Sequence, residues 1–185
     1  MRVKIPTIYI LLGLVLAGLI HIVAVLTLPM LAPKNAWTRL VSLGPANSMI
    51  VLPPSTPAQQ VMPMMAPDVR YAFCRFDLTG GPVRVRATVP DDLWLIAFYT
   101  REGDNFYSVA GTDMKRGHVD LVIAAADQAV AEAGVDAPDE SDEVVVVKSP
   151  VTEGIAMIRA PLAGASRAAR AEEALKATYC GPYTH

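Results

Sequence analysis

An uninterrupted apolar run near the N-terminus constrains this 185-residue chain more than any other feature. Ile8 to Leu28 contains no Asp, Glu, Lys or Arg, and it contains one histidine, His21. About 21 residues at about 1.5 Å per residue form a helix of about 30 Å, which matches the apolar core of a bilayer. The run therefore predicts one transmembrane helix over residues 8–28.

The same run must be distinguished from a cleavable signal peptide, because both follow basic residues such as Arg2 and Lys4. The apolar core of a signal peptide has about 7–15 residues and is followed by a small-x-small cleavage site. This run is longer, and its best site, Met30-Leu31-Ala32, begins with a large residue and is followed by Pro33. We expect an uncleaved anchor, with a cleaved signal as the alternative.

The charges that flank the helix predict its orientation. Arg2, Lys4 and the terminal amine precede it, whereas Lys34 and Arg39 follow it. Because positive charge is retained on the cytoplasmic side of a membrane, this small excess favours an inward N-terminus. We expect residues 1–7 to form a cytoplasmic tail at the inner (cytoplasmic) membrane and the remaining chain to be periplasmic.

The predicted membrane helix carries small residues at helical spacing. Gly13, Ala17, His21 and Ala24 are four, four and three positions apart, so they share one face. Small residues at such spacing allow two membrane helices to approach closely, which predicts helix–helix packing through this face. The alternative is that Gly and Ala are simply common in membrane helices. His21 is either a functional ionisable group or a neutral side chain that faces a partner helix or the headgroups.

The composition of the remaining chain limits what it can bind. About 150 residues follow the helix, which is enough for one domain with a real core. The formal net charge is −2, so no basic surface indicates nucleic acid. The apolar run makes the lipid bilayer a predicted partner. The two cysteines form no CxxC motif or Cys/His cluster, which excludes the usual structural zinc patterns. No catalytic residue, cofactor site or metal site is predicted.

Residues 29–67 read as a juxtamembrane helix and a connector. Asn35 can cap a short helix over Ala36 to Leu43, which Gly44-Pro45 stops. Met49 to Pro67 is rich in proline and methionine and predicts an extended, irregular segment that lies on the domain. Its methionines suggest gap filling against that domain rather than soft-metal binding, because no Cys/His set lies nearby.

Alternating apolar and polar residues predict about seven short strands within residues 68–185, the β-rich domain. Tight turns separate them, for example at Gly80-Gly81-Pro82 and at Glu102 to Asn105. A helical turn at Asp127 to Ala133, an acidic loop at Asp136 to Asp142 and a C-terminal helix at Ser166 to Thr178 complete the pattern. Because long crossover helices are missing, we expect an antiparallel β-sandwich or rolled sheet with a C-terminal α-helix. The predicted strands are residues 71–78, 83–89, 93–100, 106–110, 119–124, 143–148 and 155–160.

The run FCRFDLTGGPVRVRATVPDDLWLIAFYTREGDNFYSV at Phe73 to Val109, with VVVVKSPVTEGIAMIRA at Val144 to Ala160, resembles the family called domain of unknown function 1254 (DUF1254). The resemblance covers roughly half of the chain. It rests on a pattern of strands and turns and not on a catalytic signature, and it supplies no catalytic residues. The residues that carry it are Asp77, Leu78, Gly81, Pro82, Pro90, Asp91, Trp94, Tyr99, Asn105 and Tyr107.

The resemblance also implies a partner. Longer members of this family carry a second β-rich domain, of unknown function 1214, in the same chain. We expect this sequence to depart from that plan, with a membrane anchor and without the second domain. The resemblance therefore implies a short bacterial version whose missing half is a separate membrane-anchored protein.

Cys74 and Cys180 form a possible disulfide. Cys74 lies on the apolar face of its predicted strand, and Cys180 is expected to end the last helix. In an oxidising compartment a bond between them would tie that helix to the sheet and stabilise the fold by about 2–4 kcal/mol. The alternative is a buried free Cys74.

Two functional hypotheses remain. The first is an exported interaction module that assembles with a second envelope protein. The second is a small-ligand-binding or enzymatic domain whose polar pocket is built from Arg75, Arg86, Asp104 and Tyr107. The arginines of the strands, Arg84 included, also fit solvated faces or cross-strand pairs with acidic residues. Because the sequence shows no metal set, catalytic triad or phosphate loop, the first hypothesis is favoured.

Overall fold

Two units make up the chain, Met1–Asn35 and Ala36–His185. The computed structural model describes residues 6–31, 35–90, 93–113, 117–128, 144–162 and 164–183. The first unit is helix α1 (Thr7–Leu31), of which Thr7–Leu28 is long and apolar enough to cross a membrane. A signal sequence would meet the same criteria of length and composition. The Thr27 hydroxyl donates to the Val23 carbonyl at 2.8 Å, so this polar group is satisfied within the helix.

The second unit is mainly β, as predicted, with two sheets and a C-terminal helix. One sheet has five strands in the order β1-β2-β8-β4-β5, and the other has four in the order β7-β6-β3-β9. Two helices accompany them, α2 (Ala36–Val41) and α3 (Ala168–Lys176). The strands are β1 (Met49–Val51), β2 (Val69–Asp77), β3 (Val83–Thr88), β4 (Leu95–Thr100), β5 (Asn105–Ala110), β6 (His118–Ala125), β7 (Val144–Ser149), β8 (Glu153–Pro161) and β9 (Tyr179–Pro182).

The main core contains side chains from both sheets. On β3, Val83, Val85 and Ala87 are buried, while the arginines between them point to the outer face, as expected for a strand with one wet side. Leu175 and Ala171 of α3 join the same core. Its largest fully buried members are Trp94, Phe76, Phe98, Leu78, Ile96, Leu121, Ile123 and Ile158.

A second core covers part of the five-stranded sheet. Trp37 and Leu40 of α2, with Met65 of the connector, pack against Phe73 of β2 and Met157 of β8. Residues of β2 therefore alternate between two apolar environments, which is why Phe73 and its neighbours in sequence are all buried. The connector lies on the domain as predicted, and it is held there by a core of its own.

Several elements differ from the prediction. Met49–Val51 is strand β1, paired with β2, and not part of an irregular connector, because these three apolar residues precede the prolines. Cys180 and Gly181-Pro182 do not end the last helix. They belong to β9, a four-residue strand that pairs with β3 about a hundred residues earlier. Such a short strand with a Gly-Pro pair has no local strand signal, and only its distant partner explains it.

One strand pair departs from the antiparallel pattern. β6 and β7 are parallel, with Asp120 opposite Val144 and Ala125 opposite Ser149. Parallel neighbours need a long connection, which the residues between 126 and 143 supply. The acidic loop predicted at Asp136 to Asp142 and most of the helical turn predicted at Asp127 to Ala133 lie outside the described residues.

An asparagine side chain extends the five-stranded sheet. Asn47, at φ 54°, donates through Nδ2 to the Asp77 carbonyl at 3.1 Å and accepts the Asp77 N–H at 2.8 Å. Its own N–H donates to the Arg75 carbonyl at 2.7 Å. The amide therefore substitutes for a strand residue beside the end of β2. Asparagine suits the position because it tolerates the left-handed region better than other side chains.

Candidate functional site

The structure distributes the four residues of the hypothesised pocket over two sheets. Arg75 lies on β2 and Tyr107 on β5, which are separated by β8 and β4 in the five-stranded sheet. Arg86 lies on β3 of the four-stranded sheet, and Asp104 lies in the turn between β4 and β5. The alternation of apolar and polar residues along a strand indicates which side chains face solvent. It does not show which sheet the strand belongs to. The four residues are therefore not brought into one pocket.

Two of these residues have a local structural role. The Asp104 N–H donates to Thr100 Oγ1 at 3.2 Å, which is typical of a tight turn. The Tyr107 ring packs against Phe98 with a centroid distance of 5.9 Å. Both arrangements agree with turn and packing functions.

Arg86 instead joins a charged cluster on the outer face of the four-stranded sheet. Arg84 donates through Nε to Asp120 Oδ1 at 2.7 Å and through a second nitrogen to Oδ2. Arg86 donates through Nε and Nη2 to the same Oδ2 at 3.1 and 3.0 Å. The cross-strand pairing of arginines with an acidic residue is thus present between β3 and β6, with two guanidinium groups sharing one carboxylate.

Asp120 is ionised and mostly covered in this cluster. Its side chain is 9% exposed, compared with 23% for Arg84 and 55% for Arg86. Burial by itself would raise the pKa of Asp120, but the hydrogen bonds from the two guanidinium groups outweigh it and hold the pKa below the ordinary value of 3.8. One negative charge therefore faces two positive charges, and the more exposed of these belongs to Arg86.

Strand β9 places two further residues beside the arginines. In the register of β3 and β9, Tyr179 lies opposite Arg86, and Gly181 lies opposite Arg84. A side chain at Gly181 would meet the Tyr179 phenol, with its Cβ 2.5 Å from Oη, so glycine makes room for that ring. The Arg84 Cζ atom lies 5.8 Å from the centroid of the Tyr183 ring, within cation–π distance.

A shallow groove of about 190 Å³ lies over these residues. We name it the outer arginine groove, defined by Arg84, Arg86, Tyr179 and Pro182. Of these four residues, only Arg86 belonged to the pocket hypothesised from the sequence. The signal for Arg84 was the Arg-x-Arg spacing on one strand, whereas Tyr179 and Pro182 had none, because β9 was not predicted.

A second depression of about 230 Å³ lies on the domain near the start of α3. Trp94 contributes to its wall although the side chain is only 1% exposed. Two arginines of the α3 region add positive charge. The lining residues are Pro90, Trp94, Pro161, Arg167, Arg170 and Ala171.

The two cysteines lie in different sheets and are bonded to each other. Cys74 is on β2, Cys180 is on β9, and their Cα atoms are 6.4 Å apart with a sequence separation of 106. Both are buried in the main core. The bond therefore ties sheet to sheet, and not the last helix to a sheet as the sequence had indicated.

Of the residues that the structure describes, no histidine lines either depression. His118, at the start of β6, is exposed, and its Nδ1 lies 3.4 Å from Thr88 Oγ1. His185 and Asp91-Asp92 lie outside the described residues. Gly13, Ala17, His21 and Ala24 all lie within α1, and packing through their shared face stays a prediction.

Comparison with known proteins identifies a family and a fold. The model of the family described as "Protein of unknown function (DUF1254)" matches residues 46–182. No curated protein matches the sequence. A crystal structure of the VPA0106 protein from Vibrio parahaemolyticus is similar over 78% of this chain, with a TM-score of 0.58 and 14% identity. A putative uncharacterized protein from Burkholderia cenocepacia is similar over 73%, with a TM-score of 0.46 and 12% identity.

These two solved chains are much longer than the part that matches. The aligned region covers 32% of the Vibrio parahaemolyticus chain and 41% of the Burkholderia cenocepacia chain. At 14% identity the first likeness shows a shared fold and nothing about activity.

Proposed function

Because this chain belongs to the DUF1254 family of proteins of unknown function, we propose a role for it from its geometry. It is a single-pass membrane protein whose β-domain is an interaction module. The domain assembles at the bacterial envelope with a second membrane-anchored β-domain protein.

The location follows from α1 and the residues that flank it. An apolar segment of 22 residues exceeds the about 7–15 residues of a signal peptide, which supports an uncleaved signal-anchor. Arg2 and Lys4 before the helix support a cytoplasmic N-terminus in the inner membrane. The β-domain is then periplasmic, where a disulfide between Cys74 and Cys180 is chemically favoured.

The observation that carries the interaction role is the open edge at β7. Among the described residues, β7 pairs on one side only, with β6. It reads Val-Val-Val-Val-Lys-Ser, and Val145 and Val146 are 37% and 40% exposed. Its one charged side chain, Lys148, turns back to donate to the Gln128 carbonyl at 2.7 Å. A valine-rich edge strand of this kind, whose one charged side chain is bonded back to its own domain, can accept a strand from another chain.

The other three edges of the described sheets are blunted. β1 has three residues, and β9 has four and ends in Pro182, which has no N–H to donate. β5 begins at an irregularity in its register with β4, between Phe98 and Tyr99. The Asn105 side chain of β5 also donates to the Phe98 and Tyr107 carbonyls at 3.3 Å. β7 is therefore longer than β1 and β9, and it lacks the register irregularity that interrupts the pairing of β5.

The kind of partner follows from the size of similar proteins. This fold makes up about a third of the Vibrio parahaemolyticus chain, so in that protein it has further chain to pack against. The resemblance to longer family members points to a second β-rich domain in that further chain. In the present system we assign the same packing to a separate anchored protein, whose strand adds to β7.

Site-specific crosslinking in native membranes tests this assembly. A photoreactive benzoylphenylalanine replaces Val146 on β7 in one variant and Ser108, exposed on β5, in the matched control. Mass spectrometry then identifies the crosslinked proteins. We expect one envelope protein to crosslink to position 146 in stoichiometric amount and not to position 108.

A positive charge introduced on β7 gives a second test of the assembly. Val146→Lys introduces the side chain that natural sheet edges use to block strand addition. We expect about tenfold less partner to co-purify in mild detergent, with the melting temperature of the β-domain unchanged, and Ser108→Lys to retain the partner. Purification of the wild-type protein alone, or equal crosslinking from both positions, would refute the proposal.

A further inference from the structure

The outer arginine groove has a charge pattern that goes beyond strand addition at β7 and does not depend on it. Arg84 and Arg86 both direct their guanidinium groups to one carboxylate, Asp120. The local sum of these three groups is one positive charge. The four residues that line the groove include no Asp or Glu.

The arginines are held in place before any ligand arrives. Arg84 makes two hydrogen bonds to Asp120 and stacks near the Tyr183 ring at 5.8 Å. Arg86 makes two more hydrogen bonds to the same carboxylate from the next outward position of β3. A fixed guanidinium loses little side-chain entropy on binding, and its planar fork fits the paired oxygens of a carboxylate or phosphate.

The negative charge of Asp120 lies behind this surface. Its carboxylate is 9% exposed, whereas the Arg86 side chain is 55% exposed, so an approaching ion meets the cation before the anion. Two guanidinium groups near one oxygen atom also repel each other. A second anion placed between them and the solvent would reduce that repulsion.

Strand β9 supplies the shape. Gly181 has no side chain, so the Tyr179 ring can lie close to the backbone there, opposite Arg84 in the register of β3 and β9. With Pro182, the ring gives the groove an apolar side wall. A volume of about 190 Å³ holds one small group rather than an extended ligand.

From this arrangement we infer that the outer arginine groove is an oxyanion site, which binds one carboxylate or phosphate group through Arg84 and Arg86 against the Tyr179 wall. The ligand is a small free anion or the terminal group of a larger molecule. The recognition chemistry is the same for both.

Titration of the full-length protein in neutral-detergent micelles tests the site. Sodium phosphate and sodium acetate are added at constant ionic strength against sodium chloride. The arginine Nε–Hε resonances are followed by nuclear magnetic resonance. We expect saturable shifts at Arg84 and Arg86 with phosphate, acetate or both, and no saturable shift at Arg159, an exposed arginine on β8 of the other sheet.

Two variants make the result specific. Arg86→Gln removes one of the two guanidinium groups. It should weaken the binding of the anion by about tenfold, because a charge-assisted hydrogen bond is lost. Arg159→Gln removes the same charge elsewhere and should leave the dissociation constant within about twofold. The wild-type resonances remain decisive if Arg86→Gln fails to fold.

Three results would overturn the site. The first is the absence of saturable shifts in the wild type with either anion. The second is an equal loss of affinity in both variants, which would show attraction to net charge alone. The third is saturable shifts at Arg167 and Arg170 without shifts at Arg84 and Arg86, which would place anion binding in the other depression.

Discussion

Cys74 on β2 and Cys180 on β9 join the five-stranded sheet to the four-stranded sheet through the middle of the main core. The short strand β9 has hydrogen-bonded pairing with β3 alone among the described strands, so this bond is its second attachment. The same strand supplies Tyr179 and Pro182 to the outer arginine groove. The groove and the disulfide are therefore linked through four residues of chain.

Replacing both cysteines by alanine should destabilise the domain by about 2–5 kcal/mol, because the unfolded chain regains the freedom of a long closed loop. Urea denaturation followed by tryptophan fluorescence measures the change. A reducing agent should lower the stability of the wild type and leave the double variant unchanged. Alkylation of both cysteines in native membranes without prior reduction would contradict the bond.

The Asp120 carboxylate predicts a pH-dependent contribution to stability. Its folded pKa lies below the unfolded value of 3.8, so the unfolded state binds more protons between the two values. The contribution is therefore complete above about pH 4 and is lost as the pH falls through the folded pKa.

Asp120→Asn should cost about 2 kcal/mol at pH 7, because charge-assisted hydrogen bonds to two guanidinium groups are lost. The difference in unfolding free energy between variant and wild type should shrink as the pH falls below about 4, and it should be smallest below the folded pKa of Asp120, where the wild-type carboxyl is also neutral. Urea titrations at several pH values between 3 and 7 measure it. A difference that stays constant over this range would show that the charge of Asp120 contributes nothing.

The close packing around Gly154 on β8 predicts that this position does not tolerate a side chain. A Cβ there would lie 2.5 Å from the Tyr99 carbonyl oxygen and would also overlap the Phe76 ring. Gly154→Ala should therefore destabilise the domain by about 3 kcal/mol, since the strand and a core ring must both move. Gly80→Ala is the control, because a Cβ at Gly80 meets nothing within 4 Å, and it should change stability by less than about 0.5 kcal/mol. Equal effects of the two variants would contradict the packing.

The second core predicts where the independently folding part begins. Trp37 and Leu40 cover Phe73, so a fragment of residues 36–185 should unfold cooperatively. A fragment of residues 68–185, cut at the predicted domain boundary, lacks both side chains and β1 and should lose about 5 kcal/mol or more. Calorimetry of the two fragments measures the difference. The same melting temperature for both would show that residues 36–67 are dispensable.

The small residues on one face of α1 predict that two copies of this helix associate through that face. Gly13→Leu with Ala17→Leu should weaken association in a membrane reporter by about tenfold, because bulky side chains keep the helices apart. Gly18→Leu is the control, since Gly18 lies about 120° away around the helix from the midpoint between Gly13 and Ala17. Unchanged association in the double variant would remove this face as an interface.

The sequence predicted the parts of the fold that depend on local patterns. The alternation of Val83, Val85 and Ala87 with arginines indicated both the strand and its wet face, and the Gly-Pro turn after Leu78 indicated where β2 ends. The apolar run from Ile8 to Leu28 predicted α1. Each of these signals is contained within a few residues.

What could not be predicted depends on residues far apart in the chain. The arginine cluster needs Asp120, which lies 34 and 36 positions after Arg86 and Arg84, and its groove needs a strand from the C-terminus. The number of cysteines made a disulfide possible and left a free Cys74 as the alternative. The position of Cys180 on a strand could not be predicted, because Tyr179–Pro182 has no strand pattern of its own. Register between distant strands is set by the packing of the whole core.

The bond between Cys74 and Cys180 also determines how the domain would carry mechanical load. A pull between the membrane anchor and the C-terminal strand would travel along the chain to Cys74, cross to Cys180, and leave the residues between them unstretched. The separation of 106 residues corresponds to about 360 Å of extended chain that cannot be drawn out while the disulfide is intact. For a domain anchored at its N-terminal end and loaded at its C-terminal strand, the disulfide would limit how far the chain can be drawn out.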